Sequence, residues 1–337
     1  MTAGHEPRII NAAIVGLGGW GRNLVEHVQG MSPKIRFVAG CTRTVDKARE
    51  FGEQKGFPVS ADYAAILADP AIDAVVLATP HSTHADQVTQ AARAGKHVYC
   101  EKPFTLSQAS TEATLKACAR AKITLMVGYN WRYQPALQEV KRMIEDGRLG
   151  RVLHMEGNFN GPSVYRYAKE HWRPSRDEGP AGGMTGRGCH VVDAMIYLAG
   201  RVDSVYAMSK RMVLDYGLDD TTSMLFTFEA GATGYLATII ATAESWRLQI
   251  FGSKGWAEMG SIPHLTTWTL KRSFVGQPME TVEFRGLSTE RAELDAFADA
   301  IVAGKGLVNE AGDVINNAAV LDAVVSSAQS GSRVTLT

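Results

Sequence analysis

The sequence predicts an α/β protein in which a doubly wound parallel sheet is followed by a second domain of mostly antiparallel hairpins. Three observations carry this. Apolar strand-like runs alternate with helical patterns from residue 9 to about residue 127, a glycine-rich turn separates the first run from the first helix, and beyond residue 130 strand-like runs succeed one another without intervening helices. We therefore expect one domain over residues 1–128 and a second over 129–337.

The first element is a short buried strand at 9–15. It runs into Gly16, Gly18, Gly19, Trp20 and Gly21, which fit G-x-G-x-x-G, and then into a helical pattern carrying Leu24, Val25, Val28 and Met31 on one face. Strand, tight turn and helix are the setting in which such glycines seat a dinucleotide. The first allows the turn, the second admits phosphate to the backbone, and the third lets helix and strand pack closely. The free N–H groups at the helix start then face the anion. The turn alone would also suit a purely structural loop, so the other strand ends must decide.

The second strand, 35–41, ends in Cys41-Thr42-Arg43-Thr44. An NAD site places a carboxylate here for the ribose 2′-hydroxyl. None occurs before Asp46, which is expected in the first turn of the next helix, where it complements the dipole. Thr42 and Arg43 offer a hydroxyl and a guanidinium, groups suited to a 2′-phosphate, so NADP is favoured and NAD stays open. The plainer alternative for Arg43 is a solvated loop cation.

A third run, 74–78, leads into Thr79-Pro80-His81-Ser82-Thr83-His84 at the carboxyl edge, where open sheets bind ligands. Ser82 or Thr83 is placed to cap the helix that follows and Gly95 to end it. His81 and His84 have no Cys or carboxylate partner at ligand spacing, so no metal site is expected. The fourth run, 97–100, ends in Cys100-Glu101-Lys102-Pro103, which projects a lysine over the crevice; an ordinary surface lysine in a turn is the bland reading. Ser107 can cap the next helix, and a fifth run follows at 123–127.

Composition bounds the function. Among 337 residues, 35 Lys and Arg balance 35 Asp and Glu, and no long basic run offers a surface for nucleic acid. Four cysteines form no C-x-x-C pair, which suits reduced thiols in a cytoplasmic protein. Residues Met1 to Arg8 lack the apolar core of a signal peptide, and no run reaches the roughly 20 apolar residues of a membrane span.

In the second half, 135–146 reads as a helix ended by Gly147. Strand-like runs follow at 152–160, 202–211, 222–229, 233–242, 247–251 and 266–271. Both alternating residue sets of 233–242 include large apolar side chains, so one face of that sheet is expected to meet a second subunit, giving a homodimer or homotetramer. The polar and aromatic stretch 161–180 is read as a substrate wall, with Trp172 in it either touching substrate or only packing. His190, Asp193 and Ala194 share one face if 188–198 is helical. Two helices, 291–304 and 312–330, close the chain and are expected to pack the sheet domain back against the first.

These motifs in this order resemble the glucose-fructose oxidoreductase and inositol dehydrogenase family, Gfo/Idh/MocA. The resemblance rests on the glycine turn, Thr79-Pro80 with His84, Ala94-Gly95-Lys96-His97-Val98 running into Glu101-Lys102-Pro103, Tyr129-Asn130-Trp131-Arg132-Tyr133, and Gly188-Cys189-His190 with Asp193. It implies a Rossmann domain, then an α+β domain with a large open-faced, mostly antiparallel sheet, and redox chemistry on sugars, polyols or related small molecules. It also implies a cis Lys102–Pro103 bond, with Lys102 as the catalytic-site lysine and Glu101 its neighbour. Gly18 to Trp20 would hold pyrophosphate, and Thr79, His84 and Arg132 would line the cofactor side. His190 would face the nicotinamide and take the proton of a substrate hydroxyl.

One position departs from the family pattern. Where many members carry an Asp four residues before that His, this chain has Gly186. The chemistry is then left to Lys102, His190 and Asp193, and Arg187 beside the gap is suited to an anionic substrate group. The expected function is an NADP-preferring dehydrogenase acting at a hydroxyl or carbonyl carbon. Two alternatives stand beside it: a dinucleotide-binding sensor without net redox activity, and an NAD-dependent glycosidase-type member.

Overall fold

The computed structural model describes residues 8–262 and 265–336. Most of the Met1 to Arg8 segment, read above as no signal peptide, lies outside the described residues. The chain divides into two compact units.

The first unit is an α/β layer built from β1 (Ile10–Val15), α1 (Gly19–Val28), β2 (Ile35–Cys41), α2 (Val45–Lys55), β3 (Val59–Ser60), α3 (Tyr63–Ala68), β4 (Ala74–Leu77), α4 (His84–Arg93), β5 (His97–Glu101), α5 (Gln108–Ala121) and β6 (Leu125–Gly128). The six strands are parallel in the order β3-β2-β1-β4-β5-β6. The order reverses at β1, which places a ligand crevice at the carboxyl ends of β1 and β4. β4 is buried on both faces, as its uninterrupted apolar run requires, and so is β1 apart from the half-buried Asn11.

Two short elements escaped the sequence reading. β3 is two residues long and α3 six, too short for either periodicity to register, so 74–77 is the fourth strand and not the third. Asp62 caps α3 by accepting from the amide of Ala65. The expected cap of α4 also differs. Thr83 occupies the N-cap position, but its hydroxyl turns back to donate to the Pro80 carbonyl at 2.7 Å and makes no cap hydrogen bond. Ser107 does cap α5, accepting from the amide of Ser110.

The second unit follows with α6 (Pro135–Glu145), β7 (Val152–Asn160), α7 (Cys189–Ala199), β8 (Val202–Lys210), β9 (Thr221–Phe228), β10 (Thr233–Ile239), β11 (Ser245–Gly252), β12 (Gly255–Gly260), β13 (Thr267–Phe274) and β14 (Glu280–Arg285). The chain closes with α8 (Thr289–Val302), α9 (Ala311–Ser330) and β15 (Val334–Thr335). Nine strands form one mixed sheet, β14-β13-β12-β11-β7-β10-β9-β8-β15. Neighbours are antiparallel except β7 and β10, which run parallel at the sheet centre.

One face of this sheet is covered by α6, α7 and α9 over a core that includes Trp131, Trp246, Trp268, Val191, Met195, Val320 and Val324. Gly157 on β7 permits the close approach of α7, since a Cβ there would lie 2.6 Å from Val191. The closing helices fall in different units. Residues 290–311 belong to the first unit and 312–337 to the second. α8 is tied to the first unit by Ser32 donating to Asp295, Lys34 donating to Asp299 and Asn23 donating to Glu290. α9 is tied to the second by the Asn316 side chain, which pairs with both backbone groups of Val202.

Candidate active site

The glycine turn shows three different constraints. Gly16 adopts φ +97°, and a Cβ there would sit 2.4 Å from the Ala78 carbonyl oxygen; at Gly21 it would sit 1.9 Å from that of Gly16. Both positions are closed to side chains by packing. Gly18 and Gly19 are the opposite case, since a Cβ at either would meet no atom within 4 Å. The backbone there is open to an incoming group, and no side chain caps α1, so its first N–H groups remain to be satisfied from outside. Glycines left open next to an uncapped helix start fit a dinucleotide pyrophosphate.

At the end of β2 the Thr42 amide donates to Ser60 O, and Arg43 is exposed. Asp46 lies in the first turn of α2 and pairs with Arg49 at 2.8 Å, so no carboxylate closes this strand.

The edge formed by β4 and β5 is braced by His84. Its ring is fully buried, with Nδ1 2.9 Å from the Pro103 carbonyl and Nε2 3.1 Å from that of Thr79. It therefore links the loop after β4 to the turn that presents Lys102, which includes a cis Lys102–Pro103 bond. Thr79 donates to Gln87 at 2.6 Å. Glu101 is buried beside Trp20, and its Oε2 accepts the Lys102 amide at 3.3 Å. Burial pushes its carboxyl up, while Lys102, Trp20 and Tyr99 pull it back.

In the second unit, a single turn of 3₁₀ helix at Asn130–Tyr133 positions two functional candidates. Trp131 stacks on His190, ring centroids 5.2 Å apart. Arg132 grips Asp193 in bidentate fashion, with Nε to Oδ2 at 3.0 Å and Nη2 to Oδ1 at 2.7 Å, and also reaches Asp313 at 3.0 Å. Burial works against the Arg132 charge, and the two carboxylates more than restore it. His190 and Asp193 do share α7, but the Asp193 carboxylate is committed to this ion pair. Arg132 and Asp193 thus brace α7 against the 3₁₀ turn.

His190 enters α7 from an unexpected π turn, Met184–Gly188, which contains Gly186 and Arg187. Such turns are frequent at functional sites. A Cβ at Gly186 would meet nothing within 4 Å, so the missing carboxylate is not excluded by space. Arg187 donates to the Asn160 carbonyl at 2.8 Å and to Glu244 at 3.3 Å, and it covers the Phe159 ring. Its charge is already partnered. Trp172 lies between the His171 ring and the Arg173 guanidinium, 4.6 Å from its ring centroid, within a stack that continues to Tyr167. All four cysteines are buried free thiols, and among the described residues no helix is long and apolar enough to cross a membrane.

The sequence offers no role for Tyr99 or Glu293, and places Trp131 in a motif without a role, because their significance lies in contacts between distant segments. A glutamate four residues before Phe297, on the same face of the helix, is the signal the sequence offers for Glu293.

Comparison with known proteins places this geometry. Residues 10–129 match the model of an oxidoreductase family with an NAD-binding Rossmann fold, and residues 137–258 match that of the GFO/IDH/MocA C-terminal domain. The D-xylose 1-dehydrogenase (NADP(+)) 2 of Haloferax volcanii is 28% identical over 96% of this chain and 98% of its own length. The scyllo-inositol 2-dehydrogenase (NAD(+)) of Bacillus subtilis is 28% identical over 76% of this chain and 75% of its own. Among solved structures, the aldose-aldose oxidoreductase of Caulobacter crescentus, complexed with glycerol, superposes with a TM-score of 0.89 at 27% identity, covering 98% of this chain and all of that one.

Proposed function

The chain belongs to the Gfo/Idh/MocA family of NAD(P)-dependent oxidoreductases, and from that premise we propose that it is an NADP-preferring dehydrogenase of a sugar or polyol hydroxyl. The observation that carries the reading is the carboxyl edge of the parallel sheet. There the open backbone of Gly18 and Gly19, the carboxylate-free end of β2 with Thr42 and Arg43, and Lys102 after β5 lie on one sheet margin. Relatives named for D-xylose and scyllo-inositol support a carbinol substrate, and the first of these is named for NADP(+).

A nicotinamide dinucleotide held at Gly18, Gly19 and Arg43 would supply the two-electron chemistry, as the hydride acceptor for a carbinol carbon. Lys102 and His190 handle the hydroxyl proton and the charge that develops on oxygen. Glu101 gives Lys102 an anionic neighbour, and Trp131 fixes the plane of the His190 ring. Arg132 and Asp193 act through position, by holding α7. Arg187 and Trp172 belong to the substrate side in this reading, each already supported by protein contacts.

Replacing Lys102 by alanine should lower kcat on the order of 10²-fold, about 3 kcal/mol, with little change in NADP affinity. Absorbance of the reduced nicotinamide during turnover on a panel of sugars and polyols measures this. Undiminished kcat removes the role of Lys102. Substrate cleavage without net reduction would indicate the glycosidase-type reaction, and cofactor binding without turnover a sensor.

The exposed face of the large sheet completes the proposal. Tyr235 of β10 pairs with Leu225 of β9, which pairs with Tyr206 of β8, an apolar row across three adjacent strands. Leu225 is 54% exposed and Met208 56%. A second copy of the chain covers this row in the reading offered here, giving a homodimer or homotetramer.

A further inference from the structure

A buried acid lies behind Lys102. On β5, Tyr99 and Glu101 are two residues apart and so share a face of the strand. The Tyr99 hydroxyl is 3.1 Å from Glu101 Oε1 and 2.5 Å from Oε1 of Glu293 on α8. Tyr99 and Glu293 are fully buried, and Glu101 is 5% exposed. A backbone provision keeps the space open: a Cβ at Gly128 of β6 would fall 2.4 Å from the Tyr99 oxygen and 3.1 Å from Glu101 Oε1. Phe297, one turn after Glu293, packs edge-on against the Tyr99 ring.

Proton counting decides the charge. Tyr99 has one hydroxyl proton and two carboxyl neighbours, so it can donate to only one of them. The other close contact needs a proton from the carboxyl itself. Glu101 accepts the Lys102 amide and faces the Lys102 ammonium, so it is the better anion. Glu293 Oε2 has no hydrogen-bond partner among the described residues, a costly position for a charged oxygen. Burial, then the negative charge of Glu101 and of Glu290, push the Glu293 carboxyl well up, against the pull of Tyr99 and Lys102. The groups facing the cluster are Trp20 from α1, Lys102 after β5, and Glu290 from α8, itself bonded by Asn23.

We propose that Glu293 is a buried carboxylic acid that donates to Tyr99, which in turn donates to Glu101, so that this line of three side chains presents a single negative charge to Lys102. Glu293 and Tyr99 are then positioning residues for Lys102. The inference rests on the reading of Lys102 as the group that handles the substrate proton.

Infrared spectroscopy of the whole chain without cofactor tests the proton directly. At neutral pH, subtracting the spectrum of Glu293→Gln from that of the wild type should reveal the carbonyl stretch of a protonated carboxyl. Loss of a carboxylate band instead would overturn the proposal. Removing the neighbouring cation in Lys102→Met should raise the pH at which the acid band titrates; an unmoved titration overturns the link to Lys102. Tyr99→Phe keeps the ring and cuts the line, and kcat should fall about tenfold with NADP affinity retained and its pH profile displaced. A kcat and pH profile equal to the wild type's overturns the positioning role. Should a variant fail to fold, absence of an acid band that titrates above the ordinary carboxylate range in the wild type is itself decisive. If Lys102→Ala leaves turnover intact, the catalytic reading of Lys102 fails, and the infrared bands still decide whether Glu293 carries the proton.

Discussion

Gly18 and Gly21 stand three residues apart and answer to unrelated demands. Gly21 is forced by the carbonyl of Gly16, whereas Gly18 is left open toward whatever approaches the turn. The motif's spacing conveyed both roles in advance, because each follows from backbone geometry close by in sequence. Partners of side chains were not legible in this way. Arg132 read as a cofactor contact and is held by Asp193 and Asp313; His84 read as lining the cofactor and is a buried brace between two loops. Nothing local to Arg132 indicates partners 61 and 181 positions away, and nothing local to His84 indicates a carbonyl 19 positions on. Arg43 is a cleaner case, since the absence of a carboxylate at its strand end is visible in the sequence itself. Arg43→Ala should weaken NADPH binding by roughly 1.5 to 3 kcal/mol, the worth of a hydrogen bond to a charged group, and leave NADH binding nearly unchanged. Fluorescence titration with both nucleotides checks this, and equal losses for the two would defeat the preference for NADP.

Elements of ordinary length were readable from periodicity, and short or irregular ones were not. β2, β4 and β5 lie where their apolar runs placed them, while β3 is two residues long and the π turn before α7 has no sequence period of its own. Strands β12 and β14 were also missed, the second because all its side chains are exposed or half-buried and only Val282 and Phe284 mark its inner face. The loop from β8 to β9 is ordered by a single carboxylate. Asp220 accepts from the amides of Met212, Val213 and Leu214 and from the Thr221 hydroxyl. Burial opposes its ionisation, and these donors together hold it below the usual carboxylate range. With its folded pKa lowered, its stabilising contribution is complete above the ordinary value of about 4 and is lost as pH falls through the depressed one. Asp220→Asn should therefore cost about 1 to 3 kcal/mol at pH 7, and the difference from the wild type should shrink below about pH 4. Urea unfolding at the two pH values measures it, and a difference that is constant with pH would remove the carboxylate's charge as its cause.

At the scale of the whole molecule, the parallel sheet and the hairpin-rich domain were foreseen as distinct because the pattern of alternation stops near residue 130. The central parallel pair of β7 and β10 was not foreseen, since strand direction leaves no trace in alternation. The apolar row of Tyr206, Leu225 and Tyr235 makes a prediction at this scale. Light scattering at micromolar concentration should give at least twice the chain's 36.5 kDa, and Leu225→Lys with Tyr235→Glu should shift the mass toward one chain. A single-chain mass for the wild type would rule out the proposed assembly.

The placement of α8 carries a consequence for synthesis. The backbone of Leu125 on β6 donates to the carbonyl of Gly306, Val127 is held on both sides by Asn309, and Glu293 meets Tyr99 on β5. Each of these partners leaves the ribosome well over a hundred residues after the strand that it completes. The first unit therefore cannot close on itself while only its strands have emerged, and domain-by-domain folding in order of translation is denied to this chain. Its N-terminal sheet must wait, with one margin unfinished, until the segment through residue 311 has been made.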